Sequence, residues 1–232
     1  MILTVIALLP VFVILLFVYL RDKDREPMKT LLTAFGLGVF TVIPSALIES
    51  FLELFVPNDS FPLLSNFFCV GLTEEFFKLL VLLFYVFRHK DFNDTFDGIV
   101  YSVAVSLGFA AAENLLYTFE NGVETGILRA VTSVPGHASF AVFMGYFIPK
   151  AKTNHFYLRF SKRNKYILLA LIVPMLIHGL YDYLITLQAF EAFFTLILFV
   201  DIFAIIIIIR SSKNDKSVMV DIEKIENKKQ EF

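Results

Sequence analysis

The stretch GLTEEFFKLL, residues 71–80, places two adjacent glutamates and a lysine in a segment that is otherwise strongly apolar. In an α-helix, Lys78 lies four residues after Glu74 and three after Glu75, so its ammonium group can contact either carboxylate. An ion pair that only ties helices together needs one glutamate. The second carboxylate exceeds that need and indicates a chemical role.

Other ionisable groups interrupt apolar segments further along the chain. These groups are Glu113, His137, His178 and Asp182. His178 and Asp182 are four residues apart, so they project from one face of a helix. A charged side chain at the centre of a bilayer costs about 3 kcal/mol even on the gentlest scales. Each of these groups is therefore a functional-site hypothesis.

Acid–base catalysis is the chemistry that these residue types favour. Carboxylates held together in a low-dielectric site cannot all be ionised, so they offer both an acid and a base. Such a set can take a proton from water that attacks a carbonyl and return it to the leaving amine. Two imidazoles can stabilise the oxyanion. Neither Ser139 nor Cys69 has an identifiable base beside it, which favours direct attack by water over a covalent acyl-enzyme.

A metal-dependent version uses the same residues differently. His178 and Asp182, with His137 or Glu113, could supply three ligands and leave an open position, as in a catalytic zinc site. Glu75 would then be the base and a divalent metal such as Zn the cofactor. The short HxxxD pattern does not decide between the two versions.

The composition predicts the elements that position these groups. The chain is 57% hydrophobic and 18% charged, with a mean hydropathy of +0.73, which is typical of a polytopic membrane protein. About 20 apolar residues form a helix that crosses the bilayer. We predict an all-α transmembrane bundle of about seven spans. They cover residues 2–20, 31–55, 61–87, 98–119, 127–149, 166–188 and 191–209.

The basic residues alternate between the connecting segments. Lys and Arg follow the first, third, fifth and seventh spans, whereas the loops VPNDSFP, ENGVETG and LQAFEA contain neither. The positive-inside rule therefore places the N-terminus outside and the C-terminus in the cytoplasm. We expect a membrane-embedded domain over residues 1–210 and a polar cytoplasmic tail over 211–232. The sequence contains no nucleic-acid motif, so the lipid bilayer and membrane proteins are the expected partners.

The depth of the ionisable groups follows from the helical rise of about 1.5 Å per residue. Counted from the outer end of each span, Glu113 and Asp182 lie roughly 9 Å deep and the two histidines roughly 15 Å. The two glutamates of GLTEEFFKLL lie roughly 20 Å deep. Four helices thus bring polar groups to one layer, which predicts a shared cavity open to the outside.

The remaining polar residues of the spans have less specific interpretations. Glu49 and Glu53 are expected at the membrane interface, and Asp201 receives no assignment. Tyr181 and Tyr183 could line the same cavity, but aromatic residues in a phenylalanine-rich bundle more often pack between helices.

Four motifs carry a resemblance to a known family. They are EExxK at residues 74–78, FxxxEN at 109–114, the isolated His137 and HxxxD at 178–182. In order and spacing these motifs resemble the PrsW intramembrane proteases, as do the segments FDGIVYSVAVSLGFAAAENLLY and VPMLIHGLYDYL. The resemblance extends over nearly the whole chain.

The resemblance implies a stress-signalling protease of the bacterial plasma membrane. It also implies a distant similarity to the type II CAAX prenyl endopeptidases and CPBP proteins, although these have FxxxH where this chain has Glu113. In the best-known PrsW members the substrate is a single-pass anti-sigma factor, first cut on its extracytoplasmic side. The implied partner is therefore a protein of that kind.

Three functions fit these residues. The leading hypothesis is an intramembrane endopeptidase with Glu75 as the water-activating base and Glu74 and Lys78 tuning it. Which of the two glutamates is the base is left open. The alternative is a proton- or cation-coupled transporter, because Glu, His and Asp on membrane helices form proton relays. The sequence shows no inverted repeat in its favour. The third is a scaffold whose polar groups only hold helices together.

Overall fold

The architecture is entirely helical in the part of the chain that the structure covers. The structure is a computed structural model that describes residues 1–218. These residues contain no β-strand, only an isolated bridge between Asp94 and Ser217. The prediction of an all-α bundle is confirmed.

Seven helical stretches occur within residues 1–218. They are α1 (Ile2–Arg21), α2 (Met28–Glu53), α3 (62–86), α4 (Asp97–Val131), α5 (Ser133–Phe156), α6 (Phe160–Thr186) and α7 (Phe190–Lys213). The α3 stretch changes type along its length. Pro62–Leu64 and Leu72–Val81 are α-helical, whereas Ser65–Gly71 and Leu82–Val86 are π-helical.

Five helical segments are long and apolar enough to cross a membrane. One is the 60-residue stretch Asp97–Phe156, which contains both α4 and α5 and is far longer than the roughly 20 residues of a single crossing. The α3 stretch is not among the five, since its α-helical and π-helical parts are each short. The polytopic prediction is confirmed, whereas the count of seven spans and the orientation stay predictions.

The helix ends differ from the predicted spans where hydropathy is a poor guide. Helix α4 continues to Val131 across a break at Gly122, whose φ of 87° is in the left-handed region. The predicted fifth span, 127–149, therefore begins too early, because α5 starts at Ser133 after the non-helical Thr132. Helix α6 starts at Phe160, six residues before the predicted 166, because a helix can continue past the apolar core of the membrane.

The first half of α4 forms the centre of the bundle. Its side chains from Ile99 to Val105 are all buried, including Tyr101 at 0% exposure. In contrast, α1 and α7 expose rows of large apolar side chains, such as Phe199 and Phe203 on α7. This pattern is expected of outer helices that face lipid rather than water.

Two glycines allow helices to approach closely. A Cβ at Gly38 of α2 would lie 2.0 Å from the carbonyl oxygen of Val105 in α4. A Cβ at Gly179 of α6 would lie 2.8 Å from the Cα of Phe67 in α3. Small residues at such crossings are typical of membrane helices, where packing drives association. The second contact places α6 directly beside the glutamates of α3.

The start of the predicted tail is partly ordered against the bundle. Helix α7 extends to Lys213, and the following residues lie along segment 93–96. The backbone N–H of Val218 donates to Asn93 O at 2.7 Å, and Asp215 Oδ1 accepts from the N–H of Phe96 at 2.8 Å. The rest of the predicted tail, 219–232, lies outside the described residues.

Candidate active site

The structure brings every predicted site residue into one network. The members are Glu74, Glu75 and Lys78 from α3, Glu113 from α4, His137 from α5, and His178 and Asp182 from α6. The π-helical turn Ser65–Gly71 ends just before the two glutamates. Such turns often occur at functional sites.

Lys78 is the centre of the network. Its Nζ lies 3.1 Å from Glu74 Oε2, 2.8 Å from Glu75 Oε1 and 3.2 Å from His137 Nδ1. It also lies 4.3 Å from the centre of the Phe109 ring, a cation–π contact. With Lys78 only 1% exposed, the ammonium group relies on these partners rather than on water.

The contacts of His137 fix its tautomer. A lysine ammonium group can only donate, so His137 Nδ1 accepts from Lys78. The proton of a neutral ring is then on Nε2, which lies 2.8 Å from Glu113 Oε2 and donates to it. His137 thus links the α3 cluster to the carboxylate of α4.

His178 lies among three carboxylates. Its Nδ1 is 3.0 Å from Glu75 Oε1, and its Nε2 is 3.3 Å from Asp182 Oδ2 and 3.9 Å from Glu74 Oε2. Carboxylates at both ring nitrogens favour a doubly protonated imidazole, which can donate at each end. The ring of Phe140 stacks on it with centroids 4.9 Å apart and fixes its plane.

Two residues that were not predicted as site members complete the network. Arg129 Nη2 lies 2.9 Å from Glu113 Oε2, and its Nε donates to Asn114 Oδ1 at 3.2 Å. Asn114 in turn donates to the backbone carbonyl of Ala7 in α1 at 2.9 Å. The sequence carried a signal for both: Asn114 belongs to FxxxEN, and Arg129 is the only basic residue near the predicted outer loops.

A cavity of about 660 Å³ leads to this network. Glu74, Glu113, His137, His178 and Asp182 line it, whereas Glu75 and Lys78 do not. Glu74 is 5% exposed and Glu75 is 0% exposed. Of the two adjacent glutamates, Glu74 therefore faces the cavity and Glu75 lies behind it.

The other polar residues of the spans have distinct positions. Glu49 and Glu53 line the cavity along with Tyr181. Tyr183 packs near Phe67, and Asp201 accepts a hydrogen bond from Ser139 at 2.7 Å. Tyr181 thus both lines the cavity and packs, since its ring also contacts those of Phe140 and Phe193.

A set of possible metal ligands lies within the network. Glu74, Glu75, His137 and His178 each offer a ligand atom, and these atoms all lie within 4.8 Å of one another. The set shares both histidines with the predicted one but contains the two glutamates in place of Asp182. Two imidazoles with carboxylates are a donor set that suits zinc, and Glu75 Oε2 is buried without a hydrogen-bond partner in residues 1–218. The four residues therefore fit a divalent metal.

A membrane-embedded hydrolase is the class of protein that this fold and site define, since a buried acid–base cluster lies at the end of a cavity in a polytopic bundle. The comparison with family models narrows the class. The model described as "PrsW family intramembrane metalloprotease" matches residues 26–208. The chain belongs to this family and is a multi-pass protease of the bacterial membrane.

Curated relatives support the same assignment over most of the chain. Protease PrsW of Oceanobacillus iheyensis is 40% identical over 189 residues, which cover 82% of this chain and 84% of the relative. Protease PrsW of Bacillus subtilis is 40% identical over 182 residues, covering 76% and 79%. That of Clostridioides difficile is 36% identical over 191 residues, covering 78% and 79%. No solved structure matches the chain.

Proposed function

We propose that this protease hydrolyses a peptide bond of a single-pass membrane protein near its extracytoplasmic face, as the first cut of an anti-sigma factor in stress signalling. The observation that carries the proposal is the cavity, which joins the acid–base network to one end of the bundle. Its lining includes Glu53, Asn58 and Phe190, which lie beside or in the connections α2–α3 and α6–α7. Those connections hold the Lys- and Arg-free loops assigned to the outside by charge.

Glu74 is the general base of the proposed mechanism. It faces the cavity, so a water molecule beside it can lose a proton to the carboxylate while the water oxygen attacks the peptide carbonyl carbon. The carbon–nitrogen bond then breaks as Glu74 returns that proton to the leaving nitrogen. The sequence left open which of the two glutamates is the base, and this assignment gives the role to Glu74 in place of Glu75.

Glu75 and Lys78 position the reacting groups. Glu75 Oε1 accepts from both Lys78 and His178, and neither Glu75 nor Lys78 lines the cavity. Lys78 also contacts Glu74 Oε2, which orients that carboxylate. The positive charge of Lys78 lies between the two glutamates and holds both carboxylates in place.

His178 is the donor for the oxyanion. Its Nε2 lies near Asp182 Oδ2 and Glu74 Oε2, at the cavity wall. An N–H there can donate to the negative oxygen that develops as water attacks. Asp182, whose Oδ2 lies 3.3 Å from that nitrogen, stabilises the positive charge of the ring.

A divalent metal such as zinc would be held by Glu75, His137 and the neutral form of His178, which leaves Glu74 at the cavity. When bound, it would act as a Lewis acid on the scissile carbonyl group. The ammonium group of Lys78 lies within 3.2 Å of atoms of Glu75 and His137, so Lys78 competes with a cation for this position.

Cleavage by the purified full-length protein tests this function. The protein in detergent is first analysed for metal, then incubated with a single-pass anti-sigma factor, with and without a chelator, and the fragment masses are measured. We expect one cut in the extracytoplasmic part near the membrane. Cleavage that survives complete metal removal would exclude the metal, and the absence of any cut in single-pass substrates would contradict the proposed activity.

A further inference from the structure

A second cluster of acidic residues lies at the opposite end of the bundle from the cavity. Asp22 follows α1, Glu26 precedes α2, and Asp97 begins α4. Each has a carboxylate oxygen within 4.8 Å of an oxygen of the other two. Their exposures are 4%, 3% and 1%, so all three side chains are buried.

The hydrogen bonds of this cluster leave several oxygens unpaired. Asp97 Oδ2 accepts from the backbone N–H groups of Asn93 and Asp94 at 2.8 and 2.7 Å, and the Tyr101 hydroxyl bonds to Glu26 Oε2. Within residues 1–218, Asp97 Oδ1 and both carboxylate oxygens of Asp22 have no hydrogen-bond partner. The unpaired side chain of Asp22 thus points into a group of other carboxylates.

No protein cation lies in direct contact with these three carboxylates in the described part of the chain. No Lys, Arg or His nitrogen in the described part of the chain forms an ion pair with any of the three carboxylates. The buried Lys152 donates to the carbonyl oxygens of Phe92 and His89, at 2.6 and 3.2 Å, and acts on Asp97 and Glu26 only from beyond ion-pair distance. Burying like charges without a direct counter-charge is unfavourable, so a bound cation or protons must neutralise part of this cluster.

The donor atoms indicate which cation would bind there. All three ligands are carboxylates, and there is no imidazole or thiolate in the group. Oxygen-only sites suit hard cations, and carboxylates that bind through one or both oxygens fit the irregular coordination of Ca²⁺ better than the strict octahedron of Mg²⁺. This donor set differs from that of the active site, which contains two histidines.

We propose that Asp22, Glu26 and Asp97 form a binding site for a hard divalent cation of the Ca²⁺ type. The ion would connect the end of α1, the start of α2 and the start of α4. It would therefore stabilise the bundle from the end opposite the cavity, independently of the function proposed for the cavity.

Terbium luminescence offers a direct test, because Tb³⁺ replaces Ca²⁺ in oxygen sites and is excited by nearby tyrosines. The chain contains no Trp, and Tyr101 is hydrogen-bonded to one of the ligands. In full-length protein purified in detergent, we expect tyrosine-sensitised Tb³⁺ emission that Ca²⁺ displaces. We expect Asp22→Asn and Asp97→Asn each to weaken Tb³⁺ binding at least tenfold. The exposed Asp24→Asn, in the same connection, is the matched control and should bind like the unmodified protein.

Thermal unfolding of the same proteins separates a cation from protons as the neutralising charge. Ca²⁺ should raise the Tm of the unmodified protein and leave that of Asp22→Asn unchanged. Absence of sensitised emission, or a higher Tm for Asp22→Asn without any response to Ca²⁺, would overturn the proposal in favour of protonated carboxylates. Loss of emission in Glu75→Gln would also overturn it, because the signal would then come from the active site.

Discussion

Lys78 shows how one side chain organises a buried acid–base site. Its three contacts join both glutamates of α3 to His137 of α5, and at 1% exposure its ammonium group is shielded from bulk water. Helical spacing alone predicted that Lys78 could meet either glutamate. It could not predict that Lys78 meets both, since that depends on the rotamers imposed by α5 and α6.

The proposed division of roles between Glu74 and Glu75 rests on a second feature that spacing could not resolve. Adjacent residues on a helix differ by about 100° in direction, but the sequence does not say which direction faces a cavity. The neighbours decide it, because His178 of α6 occupies one side of Glu75 and the cavity borders Glu74. The preference for Glu75 as base was therefore open to reversal.

Arg129 is the residue for which we make a quantitative prediction. It forms an ion pair with Glu113, which accepts from His137, so it positions Glu113 rather than contacting substrate. We expect Arg129→Gln to lower kcat/KM by about 10- to 100-fold, the range for the loss of a positioning contact. Cleavage assays in detergent would measure this.

The conservative change and a distant control make that experiment specific. Arg129→Lys keeps the charge but lacks the forked guanidinium group, so it should recover part of the activity. Arg88→Gln, whose guanidinium lies over Phe84 away from the cavity, should cleave normally. If Arg129→Gln matched Arg88→Gln in rate, the proposed role of Arg129 would be wrong.

At the level of elements, close helix crossings determine where the site residues meet. Helix α4 crosses α2 at Gly38, and α6 crosses α3 at Gly179. Amphipathic periodicity, the usual sequence signal for helix orientation, is weak here because membrane helices are apolar on all sides. Helices could be located from hydropathy, but their faces could be inferred only from the few polar residues.

Two glycines of α2 provide a matched pair of positions for testing the close crossing of α2 and α4. A Cβ at Gly38 would clash with Val105 O at 2.0 Å, whereas nothing lies within 4 Å of the position for Gly36. We expect Gly38→Ala to lower the free energy of unfolding by about 1–3 kcal/mol, the usual cost of overpacking. Gly36→Ala should leave it unchanged or raise it by up to about 1 kcal/mol through helix propensity.

Thermal unfolding in detergent would compare the two variants. A Tm for Gly38→Ala equal to that for Gly36→Ala would show that the α2–α4 crossing is not as tight as described.

The π-helical turns of α3 are also a feature at the level of elements. Sequence periodicity did not reveal them, because a one-residue change of pitch hardly alters an apolar segment.

At the scale of the whole molecule, the distribution of basic residues and the position of the cavity both favour a cavity that opens on the predicted outer side. The cavity lining reaches the α2–α3 and α6–α7 connections, whose loops carry no Lys or Arg. The four site helices could be assigned to a common layer from helical rise alone. The ion pair between Arg129 and Glu113 could not be predicted in this way, because it depends on the break in α4 at Gly122.

Cysteine labelling in cells would test the predicted orientation. In a Cys69→Ala background, we expect Asp59→Cys in the α2–α3 connection to react with a membrane-impermeant maleimide in intact cells. Ser161→Cys, near the start of α6, should react only after permeabilisation. Both positions are exposed in the structure, so accessibility differs only through the membrane. The reverse labelling pattern would place the cavity on the cytoplasmic side and contradict the proposed site of cleavage.

The central claim is that Glu74 activates water while Glu75 positions its partners, and a pair of amide substitutions tests it most directly. Glu74→Gln and Glu75→Gln would be purified, compared by Tm, and assayed for cleavage of the same single-pass substrate. We predict that Glu74→Gln lowers the Tm less than Glu75→Gln does but loses about 10²- to 10⁴-fold in kcat, the usual contribution of a general base. Glu75→Gln should show a lower Tm and retain measurable cleavage. Cleavage by Glu74→Gln at the unmodified rate, or inactivity confined to a fully stable Glu75→Gln, would contradict the account.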